Sequence, residues 1–327
     1  MVSYSELRGT KDMTNLKKKV KRAIATTVGE MIKNRIEEMN VNPEDVCRGI
    51  CTVSMLYKVE RGEKKFKSET LALVLERLGM HNIFDSELVA SKDYSYVQII
   101  RQANQAILNR DVEKAGKLLE GIEADYDTFS ASTKQRFDMS ETLLVEKTVG
   151  LNAEAKLQCF EKIIKLTVKD YSSFKLPALL TKTEVMVLNV IANCYARVGD
   201  METSISIHRH LKKYFENTYL DKTEAATQLG LICYNFSKFL GLQGRYDECI
   251  EVAKQGIEYE KSIGSYNELV KCMYNCAWAM SKRGNPEDSE EAERLARKAL
   301  ILCEELEFRE SLRKNIKNLI NTYWITD

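Results

Sequence analysis

The chain is poor in residues that interrupt helices and poor in residues that build enzyme sites. Three prolines serve 327 residues, and since proline removes a backbone donor and clashes inside a helix, that scarcity favours long helices. Three histidines, no glycine-rich phosphate loop, no nucleophile motif and no metal cluster leave little from which to assemble a catalytic site, so neither an enzyme nor a cofactor is expected. His208 and His210 stand two apart; on a helix they point in different directions and make a poor metal pair. The nine cysteines include Cys47 with Cys51 and Cys272 with Cys276. Neither pair has the C-x-x-C spacing of zinc or redox sites, and all nine fit small core residues in a reducing cytosol. No apolar run approaches the roughly 18 residues of a membrane span, and no apolar stretch near the start is followed by a small-residue cleavage site. A cytoplasmic protein without membrane contact is the expectation.

Charge is nearly balanced, at 49 basic and 48 acidic residues, yet unevenly placed. Residues 1–84 hold 16 of the basic and 11 of the acidic residues, which makes the N-terminal quarter the part suited to a polyanion. With 44% hydrophobic and 30% charged residues, the composition is that of a globular protein long enough for two domains.

Most of the chain is built on the pattern of Val187–Phe215. Leu188, Ile191, Ala192 and Tyr195 recur at helical spacing before a turn at Gly199-Asp200, and Ser204, Ile207 and Leu211 after it. One such hairpin cannot bury its own apolar faces and demands neighbours of the same kind. They run from residue 96 onward, with turns near Asn109-Arg110-Asp111, Gly150, Gly199-Asp200, Gly244 and Gly284-Asn285, and a closing helix at about 309–323. A small residue follows each turn, where the second helix must approach the first: Ala115, Ala155, Ser204, Cys249 and Ala292. The last four turn glycines lie 49, 45 and 40 residues apart, more than an ideal repeat of roughly 34 needs, so the helices or the loops between repeats are longer.

Residues 1–22 are a polar leader ending in Lys17, Lys18, Lys19, Lys21 and Arg22, either a solvated tail or an arm that touches DNA backbone. Residues 23–80 read as short helices. One over about 24–39 buries Val28, Ile32, Ile36 and Met39. Asn42 caps the next, with Pro43 at its first position, and Thr52 caps a third that ends near Glu60-Arg61-Gly62. Ser68 caps a fourth, whose inner face is Leu71, Val74, Leu75 and Leu78. Residues 81–95 break the pattern and read as a linker.

Residues 24–80 resemble the phage-repressor-type (XRE or Cro/C1) helix-turn-helix family, whose Ser/Thr-capped recognition helix ends in I-x-x-x-E-x-G. Here that stretch is Leu56-Tyr57-Lys58-Val59-Glu60-Arg61-Gly62. The resemblance implies double-stranded DNA as a partner, with Thr52, Val53, Ser54, Tyr57 and Lys58 facing the major groove and Lys64, Lys65 and Lys67 meeting phosphates. It also implies a structural ion pair between Arg35 and Glu60. Two departures concern base reading: Ile50 stands where the family has its turn glycine, and the usual Gln near the start of the recognition helix is absent.

The segment Gly244-Arg245-Tyr246-Asp247-Glu248-Cys249-Ile250 is similar to the tetratricopeptide (TPR) turn. The expected fold is therefore all-α, a small helix-turn-helix domain followed over 96–327 by about five TPR-like repeats and a capping helix. In peptide-binding TPR proteins the inward residues stand one turn apart on the first helix of each repeat. That register selects Arg101 with Gln105, Ser140 with Leu144, and Asn189 with Asn193 and Arg197. It then selects Tyr234 with Lys238, and Tyr274 with Trp278 and Lys282. An Asn amide both donates and accepts and so can grip a peptide backbone; Arg and Lys can hold a carboxylate, and Tyr or Trp can wall a short peptide. The combination resembles the RRNPP peptide-pheromone receptors of Gram-positive bacteria. That resemblance implies a homodimeric transcription regulator controlled by a short signalling oligopeptide in its concave groove. The alternative is an adaptor that captures a partner protein there, with DNA binding secondary.

Overall fold

The computed structural model describes residues 28–80, 92–173, 175–218 and 222–324, and every regular element among them is a helix. The basic leader and the linker residues 81–91 lie outside the described residues, while 92–95 already belong to a helix. The N-terminal head contains α1 (Val28–Met39), α2 (Pro43–Cys47), α3 (Val53–Glu60) and α4 (Ser68–Arg77). Local chemistry fixes their starts. The Asn42 side chain accepts from the Glu44 N–H at 3.0 Å and Thr52 Oγ1 from the Met55 N–H at 3.2 Å, each satisfying a donor that the first turn leaves unpaired. Ser68 is not the cap expected of it. The cap is Lys67, without a side-chain bond; starting the helix there places Glu69 where its carboxylate accepts from the Ser130 hydroxyl at 2.9 Å, across the domain boundary.

Five helical hairpins follow. They are α5 (Lys92–Leu108) with α6 (Val112–Glu123), α7 (Ala131–Thr148) with α8 (Ala153–Lys165), and α9 (Lys182–Arg197) with α10 (Met201–Thr218). Then come α11 (Lys222–Leu242) with α12 (Tyr246–Ser262) and α13 (Leu269–Arg283) with α14 (Ser289–Glu305), closed by α15 (Glu310–Tyr323). The expected turns are where the chain reverses. Gly199 takes φ 97°, a left-handed conformation that glycine adopts without steric cost; the first hairpin achieves the same reversal with Arg110 at φ 63°. Ala115, Ser204, Cys249 and Ala292 are fully buried at the hairpin crossings, and Ala155 is half-buried.

The long spacing between Gly150 and Gly199 comes from residues 166–181, which join α8 to α9 without helix. This insertion is a saddle for the head. Val168, Tyr171, Leu179 and Leu180 share one apolar core with Ile32, Val46, Leu56, Val74 and Leu78 of the head and with Leu188 and Ile191 of α9. A second core runs from Ala196 of α9 and Ile205 of α10 through the repeats to α15, and a smaller aromatic one joins Tyr96, Phe129 and Phe137. No helix among the described residues is long and apolar enough to cross a membrane.

Candidate functional site

The head docks through its back. Arg77 closes α4 and is fully buried, its guanidinium donating to the carbonyls of Asp45, Val46 and Arg48 at 3.3, 3.2 and 2.5 Å. Its Nη2 donates to both carboxylate oxygens of Glu184 at 3.0 and 3.1 Å, while Nε is buried without a partner among the described residues. Glu184, also fully buried, belongs to a capping box with Thr181 that starts α9, so one carboxylate caps a helix and anchors another domain. Arg48 lies 4.0 Å from the same carboxylate and donates to the Leu179 carbonyl at 2.6 Å. Glu76 accepts from the Lys182 N–H. Two guanidiniums around one buried carboxylate satisfy the condition under which a buried charge is tolerated, namely that it is paired and hydrogen-bonded.

The expected Arg35–Glu60 pair does not form. Arg35 instead donates to the carbonyls of Leu78 at 3.2 Å and Thr218 at 2.7 Å, with Glu38 at 3.4 Å. It therefore caps the ends of chain segments that the docked repeats bring to it. Glu60 is left half-buried, its carboxyl raised by burial and opposed by the nearby Lys33. A glycine that the sequence reading passed over matters more here: a Cβ on Gly29 would run into the carbonyl oxygen of Val59, so α1 crosses the end of α3 because residue 29 has no side chain.

Docking by the back leaves α3 facing outward. Thr52, Ser54 and Tyr57 are exposed, Lys58 is half-buried, and Lys64, Lys65 and Lys67 stand in solvent on the loop beyond. Val53 differs from the others, since its side chain packs partly against the head core. The outward surface combines an eight-residue helix, small polar side chains at its start and a lysine-rich flank.

On the repeats, the structure brings the candidates of α9, α11 and α13 together through an amide ladder. Asn235 Nδ2 donates to Asn189 Oδ1 at 3.1 Å, and Asn275 Nδ2 donates to the Tyr234 carbonyl at 3.1 Å and to Ser237 Oγ at 3.0 Å. Asn235 and Asn275 were missed by the sequence reading, though both stand nine residues before a turn glycine, Gly244 and Gly284. Asn193 is half-buried and donates to the Asn189 carbonyl at 2.8 Å. Arg197 and Lys238 are exposed beside it, and neither makes an ion pair among the described residues. Lys238 is held below the usual lysine value by desolvation and then by the Arg197 charge, which places the two cations near one another. Tyr234 lies under Lys271 Nζ at 5.1 Å, and Trp278 packs edge-on to Tyr246 at 6.0 Å and against Gly241. Tyr234, Tyr274 and Trp278 are thus half-buried walls rather than free side chains, and Lys282 is exposed.

The first two repeats differ. Arg101 and Gln105 are exposed on α5, Ser140 is fully buried with its hydroxyl donating to the Arg136 carbonyl, and Leu144 lines a different opening. That cavity, about 590 Å³, lies between α6 and α7, with Leu119, Phe137, Leu144 and Val145 among its apolar walls and Glu113, Glu120, Glu123 and Glu141 on its rim. Burial, then Asp138 and Glu123, raise the Glu141 carboxyl above its usual range.

Comparison with known proteins places this architecture. The crystal structure of PlcR from Bacillus thuringiensis in complex with the peptide PapR7 and DNA superposes with a TM-score of 0.54 at 18% identity, over 91% of this chain and all of that one. The apo form of PlcR gives 0.54 at 16% identity, over 90% of this chain and 99% of that one. At such identities the likeness shows a shared fold. None of the curated proteins matches the chain in sequence. The model of the RNPP family C-terminal domain matches residues 109–309, more than half of the sequence, and the chain belongs to that family.

Proposed function

We propose that the chain is a transcription regulator that reads double-stranded DNA through α3 and is controlled by a short peptide bound on the concave face of repeats three to five. The observation that carries this reading is the double duty of α9. Its first turn holds the buried carboxylate on which the head is clamped, and its later turns carry the half-buried Asn189 and Asn193 and the exposed Arg197, which in this reading face the groove. Amides suit a peptide backbone, and two neighbouring cations suit its terminal carboxylate. Family membership, and the fold shared with a protein solved with peptide and DNA, support the same general kind of function. A homodimer presenting two heads to half-sites separated by whole helical turns completes the reading.

The test is binding of the full chain to genomic fragments with and without candidate peptides. Specific, salt-dependent binding to a palindrome is expected; Lys58→Ala, in the groove-facing set, should weaken it and relax its sequence preference, whereas Lys64→Ala, in the phosphate-meeting set, should weaken binding on all sequences and reduce the salt slope by about 1. No binding above the non-specific level on any fragment sinks the reading. The acid-rimmed apolar groove between α6 and α7 favours a second one, an adaptor for a basic protein segment; a stoichiometric partner recovered regardless of DNA, and lost in Glu141→Lys, would establish that instead.

A further inference from the structure

Two thiols meet at the turn that joins α2 to the recognition helix. Cys47 ends α2 and Cys51 precedes Thr52, the cap of α3. Gly49 at φ 68° folds the chain back between them, and the Cys51 N–H donates to the Cys47 carbonyl at 3.0 Å. A turn closed in this way keeps the two Cα atoms about one helical turn apart, within the roughly 4.4–6.8 Å that a disulfide spans. The two thiols are close enough for each to shift the titration of the other.

Their surroundings divide the work between them. Cys47 is 3% exposed, and its hydrogen bond to Cys51, followed by burial, pushes its thiol far above the usual range. Cys51 is half-buried and open to solvent. Its hydrogen bond with Cys47, aided by the Arg77 guanidinium, pulls its thiol below the usual value, and the positive end of α3 acts in the same sense. An accessible, thiolate-prone sulfur beside a second thiol is the arrangement that reactive cysteine pairs share.

We propose that Cys47 and Cys51 are an oxidisable dithiol, in which Cys51 attacks hydrogen peroxide, Cys47 resolves it, and the resulting disulfide reshapes the turn that sets the recognition helix. The Cys51 thiolate attacks the O–O bond and becomes a sulfenic acid, while the displaced hydroxide takes a proton and leaves as water. The Cys47 sulfur then attacks the sulfenic sulfur. The S–S bond forms as the S–O bond breaks, and hydroxide departs with the Cys47 proton as a second water. Two thiols lose two electrons and the peroxide gains them.

Oxidation itself can be tested independently of the proposed function; the effect on DNA rests on that reading. Trypsin cuts after Arg35, Arg48 and Lys58, so Cys47 and Cys51 fall in separate peptides, Ile36–Arg48 and Gly49–Lys58. After hydrogen peroxide treatment of the reduced full chain and blocking of free thiols, mass spectrometry should find these two peptides joined, and dithiothreitol should release them. Cys51→Ser abolishes the joined species; Cys47→Ser leaves Cys51 as a sulfenic acid that dimedone traps. Affinity for DNA should fall by about tenfold on oxidation, the size of one lost base contact, and recover on reduction. The proposal is overturned if Cys51 alkylates as readily after peroxide as before, if Cys159, the other half-exposed thiol, oxidises first, or if the joined peptides come only from a species of doubled mass. A joined pair in a chain that binds no DNA in either state would leave the dithiol standing and remove the proposed function.

Discussion

The two ends of α9 belong to one helix and are built for opposite conditions. At the first turn Glu184 is fully buried against Arg77, itself fully buried, and water has no access to either charge. At the last turn Arg197 is exposed, with Asn193 half-buried a turn before it. A charge at the dry end survives because its partner was built to meet it; a charge at the open end is already hydrated and can exchange that water for a ligand. The buried and the exposed charge are therefore separated along a rod of about 24 Å, from the helical rise of 1.5 Å per residue. Under the proposed function, the head would sense a ligand in the groove to the extent that α9 moves as a body, and a peptide would shift the head's equilibrium only by its differential affinity for two arrangements of that helix.

The dry end gives the largest expected effect. Glu184→Gln keeps the shape and the Thr181 N–H acceptor but leaves Arg77 buried without a counter-charge. Breaking a buried pair from one side costs about 3–5 kcal/mol, so the urea midpoint should drop steeply. Arg77→Met should cost at least as much, because it also strips the carbonyls of Asp45, Val46 and Arg48 of their donor. A variant at either position with wild-type stability would show that the clamp is not what holds the head.

Much of this was written in the sequence, and what was not has a common cause. Caps at Asn42 and Thr52, turns at Gly150, Gly199, Gly244 and Gly284, and the buried positions of α4 depend on residues within a few places of each other, so local chemistry reveals them. Arg77 and Glu184 are 107 residues apart, and nothing in either neighbourhood announces the partner. Arg35 shows the same limit from the other side. The partner that the helix-turn-helix resemblance implies, Glu60, lies in the head, but Arg35 donates to the Thr218 carbonyl, and a backbone acceptor across a domain boundary leaves no mark in a sequence. On the concave face, periodicity gave the register of Asn189 and Asn193, yet the Asn235 and Asn275 rungs required comparing repeats with each other.

A smaller effect sharpens the contrast by placing a polar atom on the dry side without a partner. The His208 ring is fully buried, with Nδ1–H donating to the Ser204 carbonyl at 2.8 Å, Nε2 unpaired, and the ring stacked 6.3 Å from Phe236. Burial lowers its pKa from 6.5 to about 4. The folded chain therefore keeps it neutral while the unfolded chain takes up a proton below pH 6.5, and this group's contribution is present above pH 6.5 and lost as pH falls towards 4. At about 1.4 kcal/mol per unit the loss is on the order of 3 kcal/mol. Urea midpoints at pH 7 and pH 4.5 should differ less in His208→Leu than in the wild type; an unchanged difference would remove His208 from the account.

The smallest effect on stability belongs to the open end, where the largest effect on response is expected. Asn193 donates to a carbonyl of its own helix, a bond that competes with the helical pattern and contributes little. Asn193→Ala should therefore stay within about 0.5 kcal/mol of the wild type. Asn189→Ala breaks the bond that Asn235 makes across the repeats and should cost about 1 kcal/mol. If Asn193 grips a peptide backbone, its truncation lowers peptide affinity by about tenfold, the value of one amide contact left unpaired. Isothermal titration of the peptide into both variants separates the cases: affinity lost in Asn193→Ala at unchanged stability makes the open end of α9 a binding surface, whereas equal affinity in Asn193→Ala and the wild type means that this face holds water and the ligand lies elsewhere.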